Sequence, residues 1–151
     1  MKELSAVANA SVHASPEACT SFLAEVDRYP SWYPKVVRSA SVLERDSGGM
    51  PARARADVHL SLGPISHDLG LLLAVAVEPA REVRLTRIAD DASNEERFGL
   101  VWRVSEGQPT RLELELSAYV DAPRFVPVGA IGGPFAQGFV EAAARALDGS
   151  P

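Results

Sequence analysis

Residues 15–34 read SPEACTSFLAEVDRYPSWYP, and this stretch decides the fold. Ser15 has a side-chain oxygen that can cap a helix, Pro16 suits the first helical position, and Glu17 complements the positive helix start. Together they predict a helix over residues 16–26. The two prolines that follow, four residues apart, permit at most a short helical turn and force the chain to change direction. We therefore predict two short helices that meet at an aromatic corner.

On both sides of this stretch the apolar residues alternate with polar ones, which is typical of β-strands. The first candidate strand covers residues 4–13. Six more are separated by turns rich in Gly, Pro, Asp and Asn, and they cover residues 36–45, 52–62, 65–77, 82–89, 96–105 and 110–120. Connections this short join antiparallel neighbours, because a parallel pair needs a crossover of about a dozen residues. The pattern predicts one seven-stranded antiparallel sheet.

One face of this sheet is apolar and the other is polar. The strand over residues 52–62, for example, places alanine, valine and leucine on one face, and arginine, aspartate and histidine on the other. A helix predicted over residues 134–147 is the element long and apolar enough to cover the apolar face. Small side chains occur on both sides of this contact, so either the helix packs closely or space remains. If space remains, Ala54→Leu is expected to be nearly neutral for stability while weakening ligand binding.

Length and composition restrict the classes of function. The chain has 151 residues, which fits a single domain over residues 1–151. Its formal net charge of −5 gives no basic surface for nucleic acid. We find no secretory signal and no uninterrupted apolar span, so we expect a cytoplasmic protein without stable membrane insertion. One cysteine and three scattered histidines lead us to expect neither a metal site nor a cofactor.

The order strand, helix, proline-rich turn, six strands and long helix resembles the START-like or Bet v 1-like (SRPBCC) superfamily. The most specific pieces are VDRYPSWYP within residues 15–34 and SASVLER in the next strand. The chain is most similar to the bacterial polyketide cyclase/dehydrase and lipid-transport group, which includes the coenzyme-Q-binding branch. The resemblance covers essentially the whole chain. It implies an α+β helix-grip fold, in which a curved seven-stranded antiparallel sheet wraps around a long C-terminal helix, with two short helices after the first strand.

Members of this superfamily enclose lipids, sterols, quinones, polyketides or plant hormones between sheet and helix, and some cyclise or aromatise polyketides. In this chain we expect a small hydrophobic ligand to contact the apolar face, the aromatic corner and the C-terminal segment. The expected contact residues are Trp32, Tyr33, Ala54, Ala56, Val58, Leu60, His67, Leu69, Leu71, Phe98, Leu100, Trp102, Leu114, Leu116, Phe125, Val128, Ile131, Phe135 and Phe139. His67 lies at an alternate position of its strand together with Leu69 and Leu71, which places it on the apolar face. Its side chain therefore either points into the mouth of a cavity or is exposed at the end of the strand.

Binding and catalysis are the two functions that fit these residues. The apolar face has almost no ionisable group, which favours binding or transport of a lipid, quinone or polyketide-like molecule. A polyketide aromatase/cyclase would need an acid or base at the cavity. Candidates for that role are Tyr33, His67, Arg87, Glu96 and Tyr119, but no pair among them has a spacing that indicates catalysis. We therefore predict no catalytic residue. The sequence leaves open whether the chain forms a homodimer.

The segment over residues 122–133 is predicted to act as a lid. Phe125, Val128 and Ile131 are apolar enough to cover an opening, whereas the glycines and prolines around them disfavour a uniform helix. Whether this segment is helix or loop stays open.

Overall fold

The computed structural model describes residues 2–62, 65–89, 97–120 and 128–149, without the side chains of Lys2, Leu62, Ile65, His67, Val120 and residues 128–131. The described strands are β1 (Lys2–Val12), β2 (Val37–Arg45), β3 (Pro51–Leu62), β4 (Ile65–Glu78), β5 (Glu82–Arg87), β6 (Arg97–Ser105) and β7 (Thr110–Val120). The described helices are α1 (Pro16–Ala24), a 3-10 helical turn (Val26–Arg28), α2 (Tyr29–Trp32) and α3 (Val128–Leu147). None of the helices in these ranges is long and apolar enough to cross a membrane.

The described strands form one antiparallel sheet in the order β1-β7-β6-β5-β4-β3-β2. The strand predictions are confirmed to within two residues at either end. Ala56 lies opposite Leu71 on the inner face, and both side chains are buried. On the outer face the Arg103 guanidinium donates to the Glu115 carboxylate at 3.0 Å. The predicted apolar and polar faces are therefore confirmed, and the architecture is the α+β helix-grip fold.

The aromatic corner forms as the prolines predict. The Ser15 hydroxyl oxygen accepts from the backbone N–H of Ala18 at 3.2 Å, which confirms the helix cap. Helix α1 ends at Ala24, two residues earlier than predicted, and the 3-10 turn and α2 follow directly. The Tyr29 hydroxyl donates to the Leu23 carbonyl at 2.6 Å, so the corner is fastened to the end of α1.

Two side-chain contacts attach α1 and the corner to the sheet. The Thr20 hydroxyl oxygen accepts from the Ala80 N–H in the β4–β5 turn at 3.0 Å. The Arg45 guanidinium at the end of β2 donates to both carboxylate oxygens of Glu25 at 3.0 Å. Because the two contacts lie at different parts of the sheet, they hold the helical segment across it.

Helix α3 is longer than the sequence predicts. It begins at Val128, six residues before the expected start, and continues through Pro134 to Leu147. Within the segment predicted as a lid, residues 128–133 belong to α3, and residues 122–127 lie outside the described residues. A Cβ atom at Gly132 would lie 3.2 Å from Leu4 Cγ and 3.5 Å from Ala6 Cβ. The glycine that disfavours helix formation locally therefore allows α3 to approach β1 closely.

The position of α3 decides where space remains inside the sheet. The helix lies mainly on β1 and β7, whereas the 3-10 turn lies over β2 and β3. Small residues of α3 and β1 therefore pack closely at one side of the sheet. The remaining space lies at the other side, between the corner, α3 and the central strands.

Candidate functional site

Phe139 on α3 is the meeting point of the aromatic side chains. Its ring centroid lies 4.7 Å from that of Tyr33, 5.7 Å from that of Trp32 and 5.4 Å from that of Trp102. These rings come from the corner, from β6 and from α3. The corner that the sequence predicts is therefore packed directly on the closing helix.

Next to this cluster lies a cavity of about 20 Å³. Its surface is apolar, and the residues that line it are Val26, Tyr29, Val36, Val37, Ala56, Val58, Leu71, Leu73, Leu85, Phe98, Leu100, Phe135 and Phe139. A space of this size holds about one water molecule, whereas small-molecule sites usually measure roughly 300–1,000 Å³. Among the described residues, therefore, a ligand larger than a water molecule fits this cavity only if the corner or α3 moves away from the sheet.

Tyr29 is the single ionisable residue among those that line the cavity in the described part of the chain. Its hydroxyl proton is donated to the Leu23 carbonyl. Burial raises the pKa of Tyr29 well above its usual range. Burial also raises the pKa of Tyr33, and the positive charge of Arg145 acts in the opposite direction. Both phenols are therefore protonated near neutral pH and cannot serve as ready bases.

The two tryptophans have buried indole nitrogens. Within the described residues, neither Trp32 Nε1 nor Trp102 Nε1 has a hydrogen-bond partner. The Trp102 side chain is completely buried. Because both indoles contact Phe139, which lines the cavity, their fluorescence should respond to any molecule that enters it.

The structure separates the predicted contact residues into three groups. Those that line the cavity are Ala56, Val58, Leu71, Phe98, Leu100, Phe135 and Phe139. Those that pack in the core without lining the cavity are Trp32, Tyr33, Ala54, Leu60, Leu69, Trp102, Leu114 and Leu116. The side chains of His67, Phe125, Val128 and Ile131 lie outside the described set.

Six lining residues were not predicted as contacts. Leu73 and Leu85 share the inner-face parity of their strands, so strand alternation could have found them. Val26 and Tyr29 come from the corner, and Val36 and Val37 precede a register shift between Val37 and Ser39. No local pattern indicates which way the chain points at such a shift.

Comparisons with known proteins agree on family and fold. The sequence model of the family described as polyketide cyclase / dehydrase and lipid transport matches residues 12–148. No curated protein matches the chain significantly in sequence.

Three solved structures illustrate the likeness. A START superfamily protein from Mycobacterium smegmatis is 24% identical, with a TM-score of 0.66 over 96% of this chain and 94% of that one. A protein from Thermus thermophilus is 20% identical, with a TM-score of 0.68, and the alignment covers 96% of this chain and 94% of that one. The Zhui aromatase/cyclase from a Streptomyces species is 16% identical, with a TM-score of 0.57, and the alignment covers 97% of this chain and 87% of that one. At these identities the structures show a shared fold.

Proposed function

Because the chain belongs to the polyketide cyclase/dehydrase and lipid transport family, we propose that it binds or transports a small hydrophobic molecule, such as a lipid, quinone or polyketide-like compound. The site is the space between the sheet, the aromatic corner and α3. The observation that carries the proposal is the apolar cavity, which the corner and the closing helix both help to line. Apolar surface that becomes buried against a ligand supplies most of the binding free energy in such a site.

The small size of the cavity has a mechanical consequence for binding. The ligand must separate the Phe139 cluster from β2, β3 and β4, so the free energy of opening offsets part of the binding free energy. One ring pair that joins α3 to the sheet is Phe139–Trp102, whose centroids lie 5.4 Å apart. Such pairs contribute about 0.5–1.5 kcal/mol each beyond area burial. A ligand with a long apolar body buries enough surface to offset losses of that size.

The runner-up is a polyketide aromatase/cyclase. It needs a group that moves protons at the cavity. The described lining offers only the Tyr29 hydroxyl, which is already donated to a backbone carbonyl. The described residues therefore support binding more strongly than catalysis.

Titration with a neutral apolar fluorophore tests the proposal. N-phenyl-1-naphthylamine should bind saturably to one site per chain, raise the melting temperature and change the tryptophan fluorescence. Phe139→Ala should change the affinity for the fluorophore. Ser41 is exposed on β2, so Ser41→Ala should leave that affinity unchanged. A panel of fatty acids, quinones and aromatic polyketides that neither displaces the fluorophore nor stabilises the folded protein would refute the proposal.

A further inference from the structure

Among the described residues of strands β3 to β7, alternation assigns one charged residue, Arg87, to the inner face of the sheet, at the border of the cavity. The inward residues of β5 are Val83, Leu85 and Arg87. In the strands β3 to β7, every other described inward side chain is uncharged.

The strand register places Arg87 beside three residues that line the cavity. It is paired with Leu73 on β4, and Leu85 precedes it by two residues on the same face. On β6, Gly99 is paired with Thr86, so Phe98 is the neighbour of Arg87 on that side. Arg87 is half-buried and is the last residue of β5. The residue therefore marks the end of the cavity wall.

Arginine at such a border can lay its aliphatic stem along apolar surface while its guanidinium faces water. The planar guanidinium pairs with carboxylates and phosphates through two parallel hydrogen bonds. Resting on the proposed function, we propose that the ligand is amphipathic: its apolar chain enters the cavity, and an anionic oxygen headgroup binds Arg87. Arg87 already interacts with another part of the chain, so the headgroup joins or replaces that contact.

Arg84 provides a matched control. It lies on the same strand but on the outer face, where it is exposed and lies 3.5 Å from the Glu82 carboxylate. Arg84→Gln removes the same charge from the protein as Arg87→Gln. Comparison of the two variants therefore distinguishes the loss of a local headgroup contact from the effect of a general change in net charge.

The test is displacement of N-phenyl-1-naphthylamine by dodecanoate, dodecyl phosphate and methyl dodecanoate, which differ only at the headgroup. Wild type should bind at least one of the two anions more tightly than the methyl ester, and the preferred anion identifies the headgroup. Arg87→Gln should weaken binding of that anion by about tenfold, the loss expected for one charge-assisted hydrogen-bonded pair, and leave the ester unchanged. Arg84→Gln should leave all three affinities unchanged. Arg87→Lys should give an intermediate loss, and it supplies the test if Arg87→Gln fails to fold.

Equal affinity of wild type for the anions and the ester would overturn the headgroup inference and leave the proposed function intact. A uniform loss for all three probes in Arg87→Gln, or an equal anion loss in Arg84→Gln, would also overturn it. Failure of every probe to bind wild type would overturn the proposed function itself.

Discussion

At the scale of the residue, Ala54 and Ala56 show how two equivalent positions acquire different roles. Both lie on the inner face of β3, and both are buried. Ala56 lines the cavity, but Ala54 does not and has no exposed surface. The near neutrality expected for a leucine at Ala54 therefore does not follow from the structure. The position where added volume meets empty space is Ala56.

We predict different outcomes for a leucine at these two positions. Ala54→Leu should lower the free energy of unfolding by about 1–3 kcal/mol, because the added atoms must displace packed neighbours. Ala56→Leu should cost less, because its side chain enters the cavity, and it should weaken binding of the neutral fluorophore. Urea unfolding and fluorophore titration of both variants give the two quantities. Equal stability losses with unchanged binding would mean that the wall around Ala56 is closed core.

At the scale of the element, α3 shows how a distant contact overrides local helix propensity. Glycine and proline disfavour helix over residues 128–134, and Pro134 also removes one backbone donor. The structure nevertheless has one helix there, with Gly132 buried against β1 and Gly133 exposed. The two adjacent glycines therefore have different physical roles.

Alanine substitutions at the two glycines should separate these roles. Gly133→Ala should raise the free energy of unfolding by about 0.5–1 kcal/mol, because it improves helix propensity and the new Cβ has open space around it. Gly132→Ala should raise the free energy of unfolding by less, or lower it, because the new Cβ would lie 3.2 Å from Leu4 Cγ. Thermal and urea unfolding of both variants measure the difference. An equal gain at both positions would contradict the close approach of α3 to β1.

At the scale of the whole molecule, the core extends continuously from β1 through the sheet to α1 and α3. Cys19 on α1 has no exposed surface and belongs to this core. Burial raises the pKa of its thiol from 9.0 to about 11, with a smaller contribution from the negative charge of Asp148. The folded state therefore holds the thiol proton at pH values where an unfolded chain releases it.

Cys19 should report on opening of the core. At pH 8 a thiol reagent such as 5,5′-dithiobis(2-nitrobenzoic acid) should react slowly with the folded protein, at a rate that rises with urea in step with unfolding. The raised pKa also predicts that the free energy of unfolding falls as the pH rises from 9.0 towards about 11, because the unfolded state then ionises first. Cys19→Ser should abolish the labelling. Rapid labelling without denaturant would show that the α1 region opens on its own.

The strands and their faces were predictable from sequence because alternation along a strand is a local property. Ala56, Leu71 and Leu100 were assigned to the inner face on that basis, and the structure confirms their burial. The cap at Ser15 and the proline corner are equally local, since they depend on residues within a few positions of one another. The family resemblance followed from the same order of elements and from residues 15–34.

Tertiary structure alone decided the start of α3 and the location of the cavity. Gly132 is helical because it packs against Leu4, which is far away in sequence. The cavity has Val26 and Tyr29 in its wall because the corner lies over β2 and β3, while α3 lies on β1 and β7. Such positions depend on contacts between distant segments, and hydrophobic periodicity contains no information about which distant segments meet.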